Sequence, residues 1–134
     1  MIRVLAIILL FLSVACASQK AAQKSHAPKI KADDSLEYEL LVFDVEFDSW
    51  YLLKNSPALS RSKSYYHDWN VRYVNEWNYK IFASRHNEIF GDLIDYHFEV
   101  DYPYEIEHKL FYYFQFVEQV LKIPILKYSP QAAI

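Results

Sequence analysis

The hydrophobic positions of this chain change period several times, and the changes divide it into elements. Residues 35–47, "SLEYELLVFDVEF", run apolar through Leu40, Leu41, Val42 and Phe43 and then alternate, with Val45 and Phe47 against Asp44 and Glu46. That pattern predicts a strand buried first on both faces and then on one. The next segment, "DSWYLLKNSP", predicts a short helix opened by Asp48 and ended ahead of Pro57. Residues 64–84 carry a period of 3.6. With Tyr66 at zero, Trp69, Tyr73, Val74, Trp77 and Ile81 fall within about 80° on a helical wheel. Asp68, Arg72 and Glu76 lie opposite at spacings of four, so the arginine can pair with either acid. Ser62 or Ser64 is placed to cap the helix.

The repeated Trp-Asn pair in "SYYHDWNVRYVNEWNYKIF" therefore reads as a core stripe two turns long. One polar residue is left to explain. Asn70 lies about 40° from the centre of the stripe. A buried amide needs partners, and a backbone carbonyl or a tyrosine hydroxyl is the expected one.

Beyond Gly91, "LIDYHFEVDY" at residues 93–102 alternates, which predicts a strand ended by Pro103. Residues 104–122 form a second long helix with a stripe of Ile106, Leu110, Tyr113, Phe114, Val117, Val120 and Leu121. Phe111, Tyr112 and Phe116 fall off that stripe. Such a helix either sits centrally in the fold or presents aromatic rings to a partner. "KIPILKY" at residues 122–128 is a short apolar run, and its proline assigns it to a sheet edge. The expectation is a single α+β domain over residues 36–128, with two main helices on a short mixed or antiparallel sheet and a frayed tail at 129–134.

The first residues read differently. Arg3 precedes an apolar run from Val4 to Val14, too short to span a bilayer comfortably, which needs about 20 residues. The run fits the hydrophobic region of an export signal. Two processing sites compete in "SVACAS". In the first, Cys16 is a lipidated N-terminal cysteine and residues 1–16 are its signal, although Ser13 departs from the usual Leu-like residue. In the second, cleavage follows Ala17 and releases a soluble periplasmic or secreted protein. Cys16 is the one cysteine of the chain, which favours lipidation and excludes an internal disulfide. Residues 17–35 are small, polar and basic, and read as a flexible tether.

Charge sharpens the division. From residue 33 onward the chain holds 9 basic and 17 acidic residues, so an acidic domain follows a basic tether. An acidic domain argues against nucleic acid, whose phosphates need a basic face. One glycine in 134 residues excludes phosphate-binding loops, dinucleotide turns and nucleophile elbows, all of which need close backbone approach.

Several blocks are similar to those of a family of small, uncharacterised envelope lipoproteins from Bacteroidetes-type bacteria. They are "DSLEYELLVFD" at 34–44, "SYYHDWNVRYVNEWNY" at 64–79, "IDY" at 94–96 and "KLFYYFQFVE" at 109–118. The resemblance covers nearly all of residues 35–128. It implies an envelope location and lipid attachment, and it carries no catalytic residue.

The chemical candidates are few. His97, Glu99 and Asp101 would share one strand face with His108 following, a weak metal set without a spacing motif. No cofactor is expected. His67 and Asp68 are sequence neighbours and do not face each other on a helix. Aromatic residues make up 18% of the chain, and Tyr65, Asn70, Tyr79, Phe111, Tyr112 and Phe116 form a candidate binding surface. The function expected is that of a non-enzymatic interaction or structural module, anchored by lipid to the outer membrane, facing the periplasm, with an envelope protein as partner. The alternative is a small glycan-binding module or hydrolase acting on envelope polymers.

Overall fold

The computed structural model describes residues 27–32, 38–42, 44–83 and 89–130. Cys16 and the segment read from sequence as an export signal lie outside them. Among the described residues the fold is α+β: a two-stranded antiparallel sheet, three α-helices and a short 3-10 turn. Strand β1 is Lys29–Ala32 and β2 is Tyr38–Leu41. Their register sets Ile30 opposite Leu40 and Lys31 opposite Glu39. The first pair shares the face that carries buried Leu40, and the second brings opposite charges together across the ladder. Strand β1 falls inside the segment, residues 17–35, read from sequence as a tether.

Helix α1 is Val45–Lys54. It begins earlier than expected because Asp44, rather than Asp48, is the cap. The Asp44 carboxylate accepts from Glu46 N at 2.9 Å and Phe47 N at 3.2 Å, which satisfies two first-turn N–H groups. The alternation through Val45 and Phe47 is therefore helical. Phe47 is fully buried, with Tyr113 and Phe116 edge-on at 5.5 and 5.6 Å. Pro57 opens a 3-10 turn, Pro57–Leu59.

Helix α2, Lys63–Ala83, follows the sequence pattern closely. Ser62 caps it through Tyr65 N at 3.2 Å. Its buried face is Tyr66, Asn70, Tyr73, Val74, Trp77 and Ile81, while Trp69 is half-buried. The charge pairing differs from expectation. Arg72 lies over the Trp69 ring at 4.8 Å, and Glu76 pairs with Lys80 at 3.2 Å.

Helix α3 is Tyr104–Gln119. It touches α1, α2 and β2, and every residue from Leu110 to Val117 is buried. Phe111, Tyr112 and Phe116 are thus core, which resolves the two alternatives in favour of a central helix. Tyr73 stacks on Phe114 at 4.7 Å and 12°. Offset and edge-on ring pairs of this kind add about 0.5–1.5 kcal/mol each beyond area burial.

Residues 93–102 form no strand. Their backbone groups are taken by side chains and by local turns. Asn78 acts as a substitute strand, accepting from Ile94 N at 2.9 Å and donating to Ile94 O at 3.0 Å. Trp77 Nε1 donates to Asp92 O at 3.1 Å, and the Tyr102 hydroxyl accepts from His97 N at 3.1 Å. The alternating pattern is real, but among the described residues no neighbouring strand receives it. The edge strand expected at 122–128 is likewise absent. The chain leaves α3 through Lys122 at φ 58°, and Glu118 Oε1 accepts from Ile125 N and Leu126 N at 3.0 and 2.9 Å. Glu118 also accepts from the Tyr73 hydroxyl at 2.9 Å, which ties the returning segment to α2 and α3.

The α1–α3 seam holds a buried histidine. The Tyr51 hydroxyl lies 2.8 Å from His108 Nδ1, and Tyr104 and Tyr112 stack on its ring. Burial pushes its pKa down, with Glu105 opposing, and burial pushes that of Tyr51 up to about 12. A histidine held neutral contributes stability above the unfolded value of about 6.5, and that contribution is lost as pH falls below it. The melting temperature is therefore expected to drop between about pH 7 and pH 5. In His108→Gln, which keeps an acceptor for Tyr51 but cannot titrate, thermal melts should show a smaller drop.

Candidate functional site

The strongest polar feature of the core is a carboxylate. Glu107, in the first turn of α3, is completely buried. Taking such a group out of water costs several kcal/mol in order of magnitude unless it is paired. Three side chains from two elements receive it. Asn70 Nδ2, from α2, donates to Glu107 Oε2 at 2.7 Å and to the Glu107 carbonyl at 2.8 Å. The Tyr96 hydroxyl, from the loop before α3, lies 2.9 and 3.1 Å from the two carboxylate oxygens. His67 Nδ1, one turn before Asn70, lies 3.0 Å from Oε1. Burial, then the adjacent Glu107, pushes the Tyr96 hydroxyl pKa up, so it remains a proton donor.

The Asn70 orientation is fixed by this chemistry. A flipped amide would set its oxygen against the carboxylate. Its Oδ1 has no hydrogen-bond partner among the described residues. An unpaired buried acceptor costs about 1–3 kcal/mol.

The network surfaces at His67. Its Nδ1 also lies 2.8 Å from the Tyr96 hydroxyl, and the side chain is 31% exposed. His67 lines an open cleft of about 470 Å³ with Lys63, Ser64, Phe98, Glu99, Val100 and Asp101. A carboxylate at Nδ1 selects the tautomer with the proton there and leaves Nε2 as an acceptor. Nε2 has no hydrogen bond among the described residues. Lys63 is paired to Asp101 across the cleft.

The residues singled out from sequence scatter. Asn70 bonds a backbone carbonyl, as expected, and also a carboxylate. Tyr65 is half-buried against Tyr66 and Phe111, and Tyr79 is 64% exposed on α2. Phe111, Tyr112 and Phe116 are core residues and form no binding surface. The metal candidates separate. His97 sits 3.1 Å from Asp95 and 3.7 Å from Glu99, Asp101 pairs with Lys63, and His108 lies in its own aromatic cage. No group of three or more potential metal ligands occurs among the described residues.

Sequence reasoning missed Glu107, His67 and Tyr96. One signal was present: Glu107 precedes Leu110, Phe111 and Phe114 at spacings of three, four and seven, an acid on a buried stripe.

Residues 2–130 match a family described as "Family of unknown function (DUF6146)". The chain belongs to this family. No curated protein and no solved structure matches it. The family match spans both the described fold and the apolar N-terminal run, and it assigns no chemistry to either.

Replacing Asn70 with Asp tests the core network directly. It would place two carboxylates within hydrogen-bonding distance, and both cannot ionise there without a large penalty. Thermal melts of Asn70→Asp should show a loss of about 3 kcal/mol or more at neutral pH, by the penalty for uncompensated buried charge. The shared proton makes part of that loss recoverable on acidification, with the deficit growing as pH rises from about 4.

Proposed function

We propose that this family member is a lipid-anchored envelope protein, attached to the outer membrane through Cys16, with its domain a non-enzymatic interaction module facing the periplasm. The observation that carries the interaction reading is the outer face of α1. The inner face sets Phe47, Trp50 and Tyr51 against α3. On the outer face Val45, Leu52 and Leu53 are 84%, 76% and 85% exposed. Grouped bare aliphatic side chains on one helix face are a feature of contact surfaces. Attachment through lipid agrees with a fold in which, among the described residues, no helix is long and apolar enough to cross a membrane. In this reading the apolar run ahead of the one cysteine directs export, and acyl chains on Cys16 supply the anchor.

The alternative, a glycan-binding module or hydrolase on envelope polymers, draws on the cleft beside His67. Hydrolysis of a glycosidic bond uses two free carboxylates. Asp101 is neutralised by Lys63, which leaves Glu99 as the one lining acid without a lysine or arginine. The interaction reading is therefore preferred.

Both halves are testable in cells that make the full chain. Metabolic labelling with a fatty acid should mark the wild type and leave Cys16→Ala unlabelled and in the soluble fraction. A photoreactive residue at Val45 should crosslink a defined partner, and Leu52→Glu with Leu53→Glu should abolish the product without lowering the melting temperature. An unlabelled wild type would remove the anchor, and an absence of crosslinks would remove the interaction surface.

A further inference from the structure

The cleft beside His67 has a chemical bias. Its groups divide into those already satisfied and those left over. Lys63 and Asp101 satisfy one another. Ser64 Oγ lies 3.0 Å from Ser62 Oγ. What remains is the Nε2 lone pair of His67, the Glu99 carboxylate and the ring of Phe98, which is 68% exposed. Among the described residues Glu99 has one partner, His97 Nδ1 at a loose 3.7 Å. With Lys63, Glu99 and Asp101 charged, the lining carries one net negative charge. Among the described residues the open positions are thus two acceptors and an aromatic face, with no uncommitted cation.

The cost of the buried network supports a positioning purpose. Glu107 together with its donors could be replaced by apolar residues as far as stability is concerned, since a well-packed apolar cluster commonly equals or exceeds a buried ionic network. A carboxylate there does something an apolar residue cannot. It holds one ring nitrogen of His67 in the protonated form and so fixes the other as an acceptor toward the cleft. Asn70 and Tyr96 hold the carboxylate in turn.

The geometry points to the His67 cleft as a binding site for a primary ammonium on an alkyl chain, as on a lysine side chain of a partner protein. The ammonium donates to His67 Nε2 and pairs with Glu99, and its methylenes lie on Phe98 and Val100. A cation beside an aromatic ring and a carboxylate gains from both the ring quadrupole and the opposite charge. The protein origin of the lysine rests on the interaction reading above, whereas the ammonium chemistry does not.

The test uses the full chain in detergent micelles and a capped tripeptide, Ala-Lys-Leu, as probe. Binding is followed by NMR at the His67 imidazole and the Phe98 and Val100 amides. Saturable shifts at these positions are expected. Affinity should fall by about tenfold or more when the probe lysine is Nε-acetylated, or when the protein carries Glu99→Gln. Glu99 is exposed and outside the core network, so that variant keeps the fold. Equal binding of the acetylated probe overturns the proposal, as does an absence of saturable shifts in a folded sample. Displacement of the same resonances by a neutral oligosaccharide, with no response to the peptide, also overturns it. Cys16 and Val45 take no part in the measurement, so its failure is separable from that of the anchor or the α1 surface.

Discussion

One buried carboxylate organises the polar interior of this protein. Glu107 lies at the start of the central helix, sealed from water, and every donor it uses comes from another part of the chain. Asn70 and His67 bring α2 to it, and Tyr96 brings the loop that precedes α3. Removing one partner of such a group leaves an uncompensated charge, at about 3–5 kcal/mol, which is a large share of the stability of a domain this size. The carboxylate thus does for α2, α3 and their connecting loop what a disulfide does elsewhere, and the described residues contain no cysteine.

Around that centre the core is aromatic. Rings from α1 and α2 meet α3 edge-on or offset, and α3 is buried through its whole middle. Large rings give much buried area per residue, which suits a fold whose described residues form a sheet of two short strands. Side chains also do work that backbone ladders do elsewhere. Asn78 pairs with the backbone of Ile94, and Glu118 receives two N–H groups of the returning segment. The two Trp-Asn pairs of α2 share one logic: each tryptophan sits on the core side, and each asparagine ties α2 to another part of the chain.

These particulars explain what the sequence made legible. Helix α2 was readable because its buried face obeys one period and its cap is local. Helix α3 was readable in position, although its burial all round could not be separated from an exposed aromatic patch until its neighbours were known. Helix α1 was misread because Asp44 caps it from within an alternating run, where two periods compete. Residues 93–102 alternate like a strand, and a distant asparagine takes the place of the strand that would have paired with them. The candidate site was the least legible part. His67, Tyr96 and Glu107 are separated by 29 and 11 positions, and no local spacing announces that they meet. An acid on an aromatic stripe was the one hint.

Glu107 fixes the proton on Nδ1 of His67. Imidazole nitrogen NMR, recorded at a pH where the ring is neutral, reads this directly. In the wild type His67 should be held in the Nδ1–H form. In Glu107→Gln that preference should collapse toward the mixture of tautomers seen for a free imidazole. A wild-type His67 that carries its proton on Nε2, or a tautomer balance that Glu107→Gln leaves unchanged, would contradict it.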